Sequence, residues 1–140
     1  MKKAVLKLVL MLAVTVSACD DVEVSDVGAL QVIDVTAGTG ATATAGRNVT
    51  VHYTGWLYDA DASDHKGEKI DSSRDRGAPY TFLLGAGDVI RGWDQGVAGM
   101  RVGGRRTLII PSSLAYGPGG SGRVPGGSAL VFDIELLAVQ

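Results

Sequence analysis

Five apolar residues in and just beyond the stretch Gly87 to Val97 recur at helical spacing. Val89, Ile90, Trp93, Val97 and Met100 fall on one face of a short helix predicted there. The segments on either side read as strands, so Trp93 would lie on the inner face of a helix set against a sheet, as the floor of an apolar cup. Asp71 and a few hydroxyls supply polar groups. Aromatic and aliphatic side chains with a few polar ones suit chemistry that binds an apolar group and fixes it by a few contacts. Read alone, Trp93, Val89 and Phe132 are also accounted for by core packing. Asp71 also fits a turn cap, and both roles can hold at once.

Other chemistries find no support. The only cysteine is Cys19, near the start, and the two histidines, His52 and His65, sit in no triad signature; no nucleophile elbow is present. They have no partner pattern for zinc, so no metal site is expected. Asp59-x-Asp61-x-Ser63 opens like a calcium loop, but the sixth position is Asp64 instead of glycine and the twelfth is Ile70 instead of glutamate. Gly38 to Ala43 resembles a dinucleotide fingerprint, yet a strand follows it where a helix is required. Gly117-x-Gly119-x-x-Gly122 fails in the same way. No cofactor is expected.

The elements that would position such a cup follow from periodicity. Leu30 to Val35 has strand character, and 36–46 reads as a loop. Val49, Val51 and Tyr53 alternate with Thr50, His52 and Thr54, a half-buried strand. Residues 58–69 read as a polar loop, and Tyr80 to Leu84 as a strand with large residues on one face. Arg105 to Ile110 is a strand stopped by Pro111, and 116–128 is a long glycine-rich loop. In the last strand Leu130, Phe132, Ile134 and Leu136 share a face, opposite Asp133 and Glu135. About five strands with clean alternation imply an antiparallel sheet covered on one face, and a helix on that face makes an α+β domain.

The start of the chain is read separately. Lys2, Lys3 and Lys7 precede the apolar run Leu8 to Val16, then come Ser17, Ala18 and Cys19. This is the grammar of a secretory signal, and the run is shorter than the ~20 residues of a membrane span. Val16-Ser17-Ala18-Cys19 resembles the bacterial lipobox, which implies a lipid on Cys19 as the mature N-terminus and anchoring in the cell envelope. The alternative is a plain signal peptide or uncleaved anchor with Cys19 incidental. Asp20 follows, which in enteric-type sorting implies retention at the inner membrane. Residues 1–18 are thus expected to be a signal, 19–28 an acidic tether and 29–140 the folded domain. A single cysteine excludes an intrachain disulfide. Removing residues 1–18 takes away three lysines and no acids, so the formal charge goes from −2 to −5. That balance offers no broad attraction to nucleic acid. With no dimerising helix before residue 28, a monomer is expected.

Six colinear segments then carry a family resemblance. Val51-His52-Tyr53-Thr54-Gly55, Asp71-Ser72-Ser73-Arg74-Asp75-Arg76, Leu84-Gly85, Val89-Ile90-Arg91-Gly92-Trp93, Ala115-Tyr116-Gly117 and Leu130 to Leu137 resemble the FKBP-type peptidyl-prolyl cis-trans isomerases, in the family's order and over about residues 45–137. The resemblance implies a five- to six-stranded antiparallel β-sheet wrapped around one short α-helix. It implies catalytic roles for Asp71, Tyr53, Tyr116 and Phe132. Trp93 would be the platform for a proline ring, and Val89, Ile90, Tyr80, Ile70, Arg76 and Val124 would complete the substrate site. The Ile90 N–H would hold a substrate carbonyl. Implied partners are proline-containing polypeptides in the envelope and macrolides such as tacrolimus or rapamycin. The implied function is X-Pro isomerisation of exported proteins; the alternative is a chaperone-like binder of proline-containing segments with weak turnover. Ile70 stands where the family commonly has phenylalanine, and the loop after Tyr116 is about a residue short, with Val124 its only apolar tip.

Overall fold

The structure is a computed structural model that describes residues 24–140. Its elements in chain order are β1 (Gln31–Thr36), β2 (Asn48–Tyr58), β3 (Lys66–Ser72), β4 (Tyr80–Leu83), α1 (Arg91–Gly96), β5 (Arg105–Ile110) and β6 (Leu130–Val139), with 3-10 turns at Ser112–Leu114 and Gly117–Gly119. The strands form one six-stranded sheet in the order β1-β5-β6-β2-β3, and β4 pairs with the first half of β2. Each pairing is antiparallel. The α+β class and the sheet wrapped around one short helix are therefore as expected.

β2 and β6 are the centre of the sheet. Their inward residues Val49, Val51, Leu130 and Leu136 are fully buried, and Ile134 nearly so, while Thr50, His52, Asp133 and Glu135 face the other side. Alternation places one apolar row toward α1 and one polar row toward solvent. β1 is an edge strand, exposed along its whole length.

Helix α1 reaches the sheet closely because it carries glycine on its inner face. A Cβ on Gly92 would lie 2.4 Å from Ile110 Cγ2, and one on Gly96 would lie 2.6 Å from Leu108 Cδ1. Both distances are far inside van der Waals contact, so a side chain at either position would have to displace Ile110 or Leu108. Between them Trp93 inserts into the core. Arg106 ties the far end of the helix by donating to the carbonyls of Gly96 (2.8 Å) and Ala98 (3.1 Å) and pairs with Asp34. Asp94 accepts from the backbone amides of Gly85 and Gly87, which fixes the turn entering the helix.

Two sequence expectations need correction. The helix spans Arg91–Gly96, not Gly87 to Val97. Ile90, at φ −57 and ψ 148, is extended, so Val89 and Ile90 approach the site from a turn. The second correction concerns the polar stretch 58–69. Tyr58 ends β2, and Lys66–Ser72 is a strand, leaving 59–65 as the connection. β3 is an edge strand held by backbone pairing to β2 through two register shifts. Lys66 lies 4.4 Å over the Trp56 ring and pairs with Asp133, so a polar sequence finds partners on the outer sheet face.

Candidate active site

Strands β2, β3, β4 and β6, the turn before α1, and the 112–128 loop open onto one cavity of about 440 Å³. Its lining includes Tyr53, Ile70, Asp71, Tyr80, Val89, Ile90, Trp93, Tyr116, Val124 and Phe132. Ten of the eleven candidate side chains in the domain thus converge. Arg76 does not line the cavity; it stands behind Asp71. Cys19 lies outside the described residues.

Trp93 is the floor, 4% exposed. Tyr53 and Phe132 meet it edge-on, with ring centroids at 4.8 and 5.2 Å. Phe82 and Tyr80 complete the ring around it at 5.6 and 6.3 Å. These are favourable edge-to-face and tilted geometries. The buried indole N–H has no hydrogen-bond partner among the described residues.

One wall is polar. Tyr53 Oη donates to Asp71 Oδ2 at 2.5 Å, Arg76 donates to Asp71 Oδ1, and the same guanidinium donates to Tyr53 Oη at 2.7 Å. Burial pushes the Asp71 carboxyl up, but the hydrogen bonds from Tyr53 and Arg76, with the Arg76 charge, outweigh it and hold it below the usual carboxylate range. Asp71 is thus a carboxylate at neutral pH. Burial, reinforced by the bond to Asp71, raises the Tyr53 phenol above its ordinary value, so it stays a donor. Burial and then the Asp71 charge raise the Tyr116 phenol as well. Asp71 also accepts the adjacent Ser72 amide at 2.8 Å, while the turn that follows β3 is capped by the Ser72 hydroxyl, which accepts the Arg74 amide at 3.3 Å.

Some positioning residues were not legible in the sequence. Ser73, fully buried, accepts the Tyr53 amide at 2.8 Å and bonds His52 Nδ1 at 2.9 Å. Ser72 bonds Thr54 across the strands at 3.0 Å. The two serines lock Tyr53 from behind. Asp88, Ser121 and Arg123 also line the cavity. Their only sequence signal was adjacency: Asp88 precedes Val89 and Arg123 precedes Val124. The Ile90 amide donates to no acceptor among the described residues.

No group of three or more His, Cys, Asp or Glu side chains able to hold a metal ion occurs among the described residues. An aromatic cup with the ionised Asp71 in its wall can bind and orient an apolar segment.

A family model described as FKBP-type peptidyl-prolyl cis-trans isomerase matches residues 40–137. The chain belongs to the FKBP-type peptidyl-prolyl cis-trans isomerases. Among FKBP relatives, the FK506-binding protein of Neisseria meningitidis serogroup A is 48% identical over 113 residues, 80% of this chain and 97% of the relative. The peptidyl-prolyl cis-trans isomerase Fkbp12 of Drosophila melanogaster is 49% identical over 113 residues, 79% of this chain and 98% of the relative. Solved FKBP-type neighbours agree in fold. The crystal structure of FkpA from Escherichia coli gives a TM-score of 0.70 at 40% identity, covering 79% of this chain and 48% of that chain. AtFKBP13 gives 0.68 at 40% identity, covering 79% and 93%.

Proposed function

We propose that this FKBP-type isomerase accelerates rotation about X-Pro bonds by seating the proline ring on Trp93 and surrounding the twisting amide with Tyr53, Tyr116 and Phe132. The convergence of four aromatic rings on Trp93 beside an ionised Asp71 carries this reading.

The physics requires little more. Rotation breaks amide resonance, with a barrier of about 18–20 kcal/mol, and is slow unaided. The twisted amide has lost its resonance and part of its charge separation, so an apolar wall favours it over the planar form. A site that binds the twisted form better lowers the barrier with no covalent step. The Ile90 N–H would hold the substrate carbonyl outside the rotating bond. Tyr80, Val89, Ile70 and Val124 would enclose the flanking side chains. Arg76 would act through Asp71 and Tyr53 by fixing their orientation.

The same cavity is the proposed seat for FK506-type macrolides, supported by the names of the relatives, and for proline-containing polypeptides. Residues 1–18 and Cys19 support export and lipid anchoring in the bacterial cell envelope, with Asp20 pointing to the inner membrane where enteric-type sorting applies, and the domain would act as a monomer on exported proteins. Labelled palmitate should enter the wild-type chain and not Cys19→Ser.

Separate Asp71→Asn and Trp93→Leu variants test the site in a protease-free isomerisation assay. Each is expected to lower kcat/KM on the order of tenfold or more, the factor for about 1.4 kcal/mol, with circular dichroism unchanged. If neither changes the rate, the assignment of the cavity fails. Retained peptide binding with no turnover in the wild type would favour the chaperone-like binder.

A further inference from the structure

Residues 24–26 lie across both stems of the loop that brings Tyr116, Ser121, Arg123 and Val124 to the cavity. At the first stem Asp26 Oδ1 accepts the Ser112 amide at 2.9 Å, and Asp26 Oδ2 accepts the Ser112 hydroxyl at 2.5 Å. At the second stem the Ser25 carbonyl accepts the Ala129 amide at 2.9 Å, and a Cβ built on Gly127 would stand 3.6 Å from Val24 Cγ1. Ser112 opens the 3-10 turn Ser112–Leu114 directly after Pro111, so its N–H is an unspent donor at a helical N-terminus. Ser112 is itself buried. A buried pair of donors needs an acceptor, and the carboxylate of a residue 86 positions away in the chain supplies both oxygens. Charge-assisted bonds of this kind are the stronger ones. Burial pushes the Asp26 carboxyl up, but the Ser112 bonds outweigh it and hold it below its ordinary value, consistent with a working ion acceptor.

Other ties hold the loop as well: it runs between the paired strand ends Ile110 and Leu130, the Ala129 carbonyl accepts the Tyr58 amide at 2.9 Å, and Val124 packs into the core. Ser121 and Val124 bond each other, and the Gly127 amide donates to the Gly117 carbonyl, but these bonds lie within the loop. The bonds to Asp26 and Ser25 add, at both stems, ties to a segment outside both the loop and the sheet. We propose that Asp26 is a positioning residue for the isomerase: through Ser112, and with Ser25 on Ala129, it holds the 112–128 loop so that Tyr116 and Val124 face the bound peptide. Ordering the loop before substrate arrives spares that cost at binding, so the effect should appear in KM more than in kcat.

The inference rests on the isomerase reading of the cavity, and two readouts keep them apart. In the full chain, Asp26→Ala should speed amide hydrogen exchange at Leu114, Ala115 and Gly127 on the order of tenfold while Tyr53 and Ile134 exchange as before. KM for an X-Pro peptide should rise on the order of tenfold with kcat little changed. Asp26→Asn keeps one oxygen for the Ser112 amide and should fall between the two. Unchanged exchange in the loop would overturn the proposal, as would faster exchange spread evenly over the sheet. A loosened loop with KM unaltered would also overturn it. Absence of isomerisation in the wild type would instead sink the reading of the cavity, with the exchange pattern still reporting on Asp26.

Discussion

Gly55 on β2 and Phe132 on β6 are cross-strand partners, and the Phe132 ring occupies the space a side chain at 55 would need. A Cβ on Gly55 would lie 2.4 Å from Phe132 Cε1. The missing side chain is what lets the ring lie over the sheet and meet Trp93 edge-on at 5.2 Å. Gly55→Ala must therefore push Phe132 out of its place. Expected are a stability loss of about 1–3 kcal/mol in chemical denaturation and a fall in isomerisation larger than that loss alone explains. Full activity in this variant would show that the position of Phe132 does not matter.

The Tyr53–Asp71–Arg76 triangle sets the pH behaviour of the site. Asp71 is held below the usual carboxylate range, so its stabilising contribution is present above about pH 4 and is lost as pH falls through its folded value. Tyr53 and Tyr116 are raised, so theirs is lost only as pH rises past about 10. These groups should leave kcat/KM flat from about pH 5 to about pH 9. A bell-shaped profile centred near neutrality, measured with a peptide lacking ionisable side chains, would contradict the assignment.

Ile70 lines the cavity from β3 and is half-buried against the core. Ile70→Phe would add a ring to a wall with open space beside it. Isomerase activity is expected to rise severalfold, as apolar contact with the twisted amide grows. Lower activity with intact folding would remove Ile70 from the pocket wall.

The central strands were legible because each has one dry face. Val49, Val51 and Tyr53 on β2 and Leu130 to Leu136 on β6 alternate as a one-sided sheet requires. Lys66-Gly67-Glu68-Lys69 has no such signal, since an edge strand with both faces near solvent is defined by the backbone of its partner. Spacing alone also lengthened the helix, because the bend at Val89 and the extended Ile90 bring their side chains to the same cavity as Trp93. At the site, the aromatic residues carried a family pattern. The support around them did not: Ser73 behind Tyr53, and Asp26 under Ser112, are joined by contacts across 20 and 86 positions that no local pattern encodes.

Catalysis by the cavity is tested most directly by two-dimensional exchange NMR on an X-Pro peptide with a small fraction of the purified chain. Cis–trans exchange should become fast, saturate with peptide, and return to the uncatalysed rate when FK506 is added at one equivalent of protein. Peptide binding at Trp93 with exchange left at the uncatalysed rate would contradict the isomerase mechanism drawn from this site.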